Sequence, residues 1–440
     1  MDKIKLPIKH QKVEILIISD LMANDPSTKT DKKELLIVKD LAKKVKEISQ
    51  EQENLEKIKL WKDHNSLIKT RPLVLCFPEN AYEEMIPYSL LKTTDPFLRE
   101  YEWYLRSLIY HWEELHDDFV ITSRVKVAAV FNITDWGIPE VWENPESLEG
   151  AARFKQQIIN EEDIERMKFP ELLFDKDATD RNFEYVSEIF GNILDVKLYY
   201  TIIPMFFDLG MMGFFSRLRG LDQILFDMID RPKWVHRVMD FLSKGMLNLI
   251  KDTENRGLLG LNNADDYIGS GGLGYTYDLP QKDFKGKVRL KDLWGFSESQ
   301  ELTGVSPEMI DEFVLPYQIR LLENYGLNYY GCCEDLSKKY NIAKKIPNLR
   351  RVSVAPWTNM QIAAEELQDK YVYVWKPNPA DLAMDYFDED FIRKKIKNGF
   401  ELTKDCIIEI IMKDTHTLRN DPSRMKKWAK IAKEQAMNFY

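Results

Sequence analysis

Two adjacent thiols, Cys332 and Cys333, run directly into two carboxylates, Glu334 and Asp335. A second acidic stretch, Ser297-Glu298-Ser299-Gln300-Glu301, follows another short apolar run. A mixed stretch, Lys413-Asp414-Thr415-His416, follows a third. Thiolate sulfur, imidazole nitrogen and carboxylate oxygen are the donors zinc accepts, and a catalytic zinc keeps one position open. No local finger spacing links these donors, so they would have to converge from separate elements. The polar stretch Asn262, Asn263, Asp265, Asp266 ends in Gly269, Gly271 and Gly274, which match GxGxxG. A dinucleotide loop needs a strand just before the glycines and a helix just after. Here Pro280 follows and no helix opens, so a flexible loop over a substrate is expected instead. Cys76 lies in an apolar run and Cys406 precedes one, so both read as core. His10, His64, His111, His116 and His236 lie in charged helical or terminal contexts and read as surface or interhelix residues.

The elements that must position these groups show a regular rhythm. From Gly257 on, apolar runs alternate with helical stretches: Leu258–Leu261, Val288–Phe296, Leu327–Gly331, Arg351–Ala355, Tyr371–Trp375 and Ile407–Met412. Repeated βα units imply a parallel sheet with helices outside. Six units without an opening dinucleotide fingerprint predict an α/β fold of the (β/α)8 TIM-barrel type, whose active sites sit at the C-terminal strand ends. Arg71–Pro78, Arg124–Phe131 and Tyr199–Phe207 read as earlier strands. Leu221–Lys251 reads as helix with a break at Arg231-Pro232. Residues 1–70 read as an N-terminal helical extension, because Leu35, Leu36, Val38, Leu41, Val45 and Ile48 recur at helical spacing among charges. Residues 71–440 are the expected catalytic barrel. The extension would cover its outside or serve a subunit contact, as in a homodimer.

Composition narrows the function classes. The 440 residues carry 62 Lys+Arg against 72 Asp+Glu, a net charge of −10, which disfavours phosphate backbones and anionic lipid. Four cysteines are too few for a disulfide framework, and a bridge between neighbours would be strained. The N-terminus lacks a good signal core, and the apolar run Tyr199–Phe207 is about half a membrane span. A reducing, cytoplasmic setting is expected, with no nucleic acid and no membrane as partner.

The stretches SQELTGVSPEMIDEFVLPYQ (299–318), YGCCEDL (330–336), IPNLRRVSVAPW (346–357), VWKPNPADLA (374–383) and IIMKDTHTLRNDP (410–422) resemble the uroporphyrinogen decarboxylase superfamily. Within it the chain looks most like the corrinoid-dependent methyltransferases, in particular the first methyltransferases of anaerobic aromatic O-demethylation. The resemblance covers about residues 70–440. The Arg-rich motif that grips carboxylates in the decarboxylases has no counterpart in RPLVLCFPENAYEE (71–84). Zinc enzymes of the branch carry His-x-Cys on one strand and a Cys near the last. Here Gly331-Cys332-Cys333 stands at the first place, and His416 stands roughly at the second. The resemblance therefore implies zinc held by Cys333 and His416, with Glu301 as candidate third ligand and Glu298, Glu334 or Cys332 as alternatives.

The reaction so implied moves a methyl group from a methoxylated aromatic to the cob(I)alamin of a separate corrinoid protein. Zinc would act as Lewis acid on the ether oxygen. Phe296, Trp357 and Trp375 are expected as walls for the ring. Asn262, Asp265, Asp266, Gln300, Lys413 and Asp414 are expected to orient the substrate. Three alternatives remain: a metal-independent decarboxylase or lyase using Asp265 or Asp266 as proton relay, a methyltransferase with another donor or a thiol acceptor, and a non-catalytic module that binds the corrinoid protein.

Overall fold

The computed structural model describes residues 31–143, 153–200 and 209–439. Its centre is a six-stranded parallel sheet in the order β1-β12-β11-β10-β9-β8. These strands are β1 Leu73–Cys76, β8 Trp294–Ser297, β9 Leu327–Tyr330, β10 Leu349–Val354, β11 Val372–Trp375 and β12 Ile407–Met412. A separate parallel pair joins β2 Arg124–Ala128 to β7 Asp195–Tyr199. Two antiparallel pairs join β3 Phe131–Ile133 to β6 Leu172–Phe174, and β4 Val141–Glu143 to β5 Arg153–Lys155. The fold is α/β with a mostly parallel sheet. A closed eight-stranded barrel is not seen among the described residues. Leu258–Leu261 forms no strand; instead the Asn262 side chain imitates one, donating to Trp294 O at 3.0 Å and accepting from Trp294 N–H at 2.9 Å. Of the expected strand Tyr199–Phe207, only its start falls in β7, and 201–208 lie outside the described residues.

Side chains alternate across the sheet, as a period of two requires. Leu73, Leu75, Phe296, Tyr329, Val374 and Ile411 belong to one apolar cluster. Val74, Tyr330, Tyr373, Trp375, Ile410 and Met412 belong to another, shared with helix residues. Both faces are covered, so each strand is a nearly unbroken apolar run, the mark of a buried parallel sheet. Helices α1 (Lys32–Ser49) and α2 (Gln52–Asn65) precede β1, and α3 (Pro96–Tyr110) packs on α1. Helix α4 is Met212–Arg219; α5 (Leu221–Asp230) and α6 (Pro232–Asn255) meet at the expected Arg231-Pro232 break. Helices α7 (Met360–Leu367), α8 (Glu389–Leu402) and α9 (Ser423–Asn438) cover the second face through Leu367, Ile396, Phe400 and Trp428.

The other face is covered by the glycine-rich segment itself. A Cβ at Gly269 would collide with the rings of Tyr329 and Phe296, and one at Gly272 with the Arg351 guanidinium. Only glycine lets the backbone approach so closely, and both residues have positive φ, 54° and 100°. The expected flexible cover is thus a buried plug: Ile268, Leu273 and Tyr275 join the inner cluster. Helix α2 anchors it. Asn65 donates to Leu273 O at 2.8 Å and Tyr275 O at 2.7 Å, while His64 meets Glu409 at 3.1 Å. His64, expected on the surface or between helices, is fully buried against Glu409 of β12.

Candidate active site

The C-terminal ends of β8, β9, β11 and β12 bring the chemistry together. Beyond β9, Gly331 (φ 91°) turns the chain and Cys332 and Cys333 follow, with their sulfurs 3.5 Å apart. Ser270, from the buried plug, donates its hydroxyl to the Cys332 sulfur at 3.0 Å. Lys376, one residue past β11, donates to the Cys332 carbonyl at 3.0 Å and also to the Ser270 hydroxyl. Lys413, one past β12, is buried, with its ammonium 3.5 Å from Asp414 and 3.8 Å from Glu79.

Of the two thiols, Cys332 is the one whose surroundings favour the charged form. The S–H of Cys333 pulls its pKa well below the usual thiol value. Burial opposes this, while the Lys376 and Lys413 ammoniums and the Ser270 hydroxyl reinforce it. Cys333 is pushed up, first because it holds the shared proton and then by burial. Burial lowers Lys376, against the pull of the Cys332 charge. Burial works against the charge of Lys413 too, but Tyr267, Asp414, Cys332 and Glu79 outweigh it and keep the ammonium charged.

A carboxyl group of three residues lies beside the thiols. Glu334 accepts from Cys332 N–H at 2.7 Å and Ser299 N–H at 2.9 Å; Glu298 accepts from Gln300 N–H at 2.6 Å. Burial pushes all three of Glu298, Glu301 and Glu334 above the ordinary carboxyl range. Neighbouring carboxylates add to the effect at Glu298, and the Cys332 charge adds to it at Glu334. Glu298 is displaced furthest in this direction, which favours its neutral form. Glu301 Oε2 is buried with no hydrogen bond among the described residues.

The expected metal ligands do not assemble. Glu301 and Cys333 belong to this site, but the chain turns at Asp414 (φ 56°), and His416 emerges exposed with its ring held by Asn80 at 2.8 Å. Among the described residues no three His, Cys, Asp or Glu side chains form a group able to hold a metal ion. The set Glu301, Cys333, His416 therefore does not fit zinc.

The expected substrate residues divide in the same way. Lys413 and Asp414 flank the thiols, and Gln300 opens the turn that carries Glu301. Asn262 is spent on Trp294. Asp265 and Asp266 are bound to Lys126 at 3.7 and 2.8 Å, and Asp265 also to Arg124 at 3.1 Å, which ties the plug to β2. Trp375 faces the helices, edge-on to Phe400 and against Gly399, because the alternation that turns Val374 inward turns its neighbour outward. Phe296 lies under the plug. Trp357 stays at the site: its indole N–H donates to Cys333 O at 2.7 Å while its ring is 61% exposed. Ser270 and Lys376 were not foreseen. The only sequence signals for them were a serine between two glycines and a lysine ending an apolar strand. A hollow of about 720 Å3, lined by Phe131, Phe174, Asp175 and Arg256 among others, contains no residue of the thiol site.

No family model matches the chain, and no curated protein matches it. Among solved structures, a methyltransferase from Methanosarcina mazei is similar, with a TM-score of 0.48 and 9% identity over 86% of this chain and 97% of that one. A likeness this distant says nothing of activity. Among the described residues no helix is long and apolar enough to cross a membrane.

Proposed function

We propose that this chain is an enzyme that moves a methyl group from a methoxylated aromatic to the cob(I)alamin of a separate corrinoid protein. The observation that carries the reading is one site where two thiols 3.5 Å apart, with Ser270 on the Cys332 sulfur and Lys376 on the Cys332 carbonyl, lie beside the buried carboxyls of Glu298 and Glu334. An aryl ether gives up its methyl group only if charge on the leaving oxygen is relieved. Glu298 gives its proton to that oxygen as the O–CH3 bond breaks, so that a neutral phenol leaves. The Cys332 thiolate attacks the methyl carbon, and its S–CH3 bond forms as the ether bond opens. The methyl group then leaves sulfur for the acceptor, and the thiolate is restored. The partner's cob(I)alamin supplies a strong nucleophile as that acceptor. Lys376 and Lys413 balance the thiolate charge between turnovers. The exposed Trp357 ring offers an aromatic substrate a face beside the thiols. The resemblance of 299–318, 330–336 and 410–422 supports the donor and the acceptor. The decarboxylase alternative is weaker, because Asp265 and Asp266 are paired with Arg124 and Lys126.

The test is a screen of methoxylated aromatics with reduced corrinoid protein, read by the absorbance change from cob(I)alamin to methylcobalamin. Transfer is expected with at least one donor. Cys332→Ser should abolish it, and Glu298→Gln should slow it by about 10²–10⁴-fold, the usual worth of a general acid. Full activity in Cys332→Ser, or no transfer from any donor, contradicts the reading.

A further inference from the structure

Methyl transfer uses one sulfur, yet the site holds two. Both Cys332 and Cys333 are partly exposed, and their sulfurs are 3.5 Å apart. The backbone around them is fixed from several sides. The Cys332 carbonyl accepts from Ser353 at 2.8 Å and Lys376 at 3.0 Å, and its N–H is held by Glu334. The Cys333 carbonyl is held by the Trp357 indole at 2.7 Å. The two side chains therefore stay face to face. The other two cysteines cannot take their place. Cys76 and Cys406 are buried in the outer core, and burial makes both thiols poor nucleophiles.

We propose that Cys332 and Cys333 form a peroxide-responsive dithiol that closes to a disulfide between neighbours and so takes the site out of action. This goes beyond the methyl-transfer reading and does not depend on it. The Cys332 thiolate attacks one peroxide oxygen; the S–O bond forms as the O–O bond breaks, and the departing hydroxide takes a proton to become water. Cys333 then attacks the Cys332 sulfur. The S–S bond forms, the S–O bond breaks, and the Cys333 proton leaves in a second water. The pair gives two electrons to one peroxide. Neighbouring cysteines cannot reach relaxed disulfide geometry, so the bridge is strained and easily reduced, which makes the device reversible. It consumes the thiolate, so the closed form has no nucleophile.

The test uses the full chain and hydrogen peroxide, with no donor or acceptor. Of four cysteines, two should lose their free thiols. The peptide containing 332 and 333 should become lighter by two hydrogens, and dithiothreitol should restore it. Cys333→Ser should stop at a sulfenic acid on Cys332 that dimedone traps. Cys332→Ser should show no two-hydrogen mass loss, because no neighbouring sulfur remains to close the bridge. If a substituted chain does not fold, the mass change in the unaltered chain decides alone. Oxidation that falls first on Cys76, Cys406 or Cys333, or a bridge between two chains, overturns the proposal. These readouts do not involve methyl transfer: an inactive enzyme with this thiol chemistry sinks only the transfer reading, and an active one without it sinks only the dithiol.

Discussion

Sequence alone could not tell Cys332 from Cys333, because the two differ only in what lies around them. Ser270 and Lys376 reach Cys332 from elements 62 and 44 residues away along the chain. The family pattern pointed to Cys333, whereas the surroundings favour the charge on Cys332. The carboxyls were readable as acidic residues at a strand end, but not their raised pKa values, which follow from their burial together. Two predictions belong to this scale. The rate of methyl transfer should be bell-shaped in pH. It should fall on acidification as Cys332, whose pKa is lowered, gains a proton. It should fall on the alkaline side as Glu298, whose pKa is raised, loses one. A single limb at the ordinary thiol value of about 8.5 would contradict the assignment. The second concerns metal. With the expected ligands apart, dialysis against a chelator should leave transfer unchanged; loss that zinc restores would return the ether oxygen to a Lewis acid.

Strands were the most legible elements, and β12 matches its expected ends, because an apolar β-branched run has one comfortable state between two covering layers. The glycine-rich segment misled for a physical reason. Its composition is that of a surface loop, and nothing local shows that Tyr329, Phe296 and Arg351 wait beneath it. The outward turn of Trp375 was available from the period of two, had the strand's facing been fixed by Glu409 or Arg351 on neighbours. Gly272→Ala should therefore cost about 2–4 kcal/mol in denaturant unfolding, since it combines positive φ with a clash against a buried guanidinium. An unchanged midpoint would mean the plug does not pack as described. Trp375→Ala should cost about 3–5 kcal/mol as a core truncation while leaving the reactivity of Cys332 intact. A changed alkylation rate at Cys332 would place this ring at the site after all.

For the whole molecule, the parallel α/β architecture was legible from the βα rhythm, whereas the way its ends are tied together was not. Asp118 is the clearest case. It accepts two hydrogen bonds from Arg71, at 2.8 and 2.6 Å, and one each from Lys433 of α9 at 2.6 Å and the backbone of β1 at 2.8 Å; Trp61 of α2 bonds its carbonyl at 2.8 Å. Partners so far apart in sequence leave no local pattern. Burial alone would raise the Asp118 pKa, but Lys433 and Arg71 overcome it and hold it well below the usual range. A depressed folded value means the stabilisation is complete above the unfolded pKa of about 3.9 and is lost as pH falls through the folded one. Asp118→Ala should cost about 2–4 kcal/mol at neutral pH, because it leaves the half-buried Arg71 and Lys433 charges and the Val74 N–H without their partner. It should also flatten the loss of stability below about pH 4, where the native carboxylate would otherwise be titrating. Equal midpoints for the two proteins at neutral pH would refute this. The central claim for the molecule as a whole is that its fold delivers one thiolate to the strand ends. The most direct measurement is the rate of iodoacetamide alkylation against pH, with the modified residue located by mass spectrometry. Cys332 should react first, with an apparent pKa well below the ordinary thiol value of about 8.5. First reaction at Cys333, or an apparent pKa at or above that ordinary value, would contradict the account.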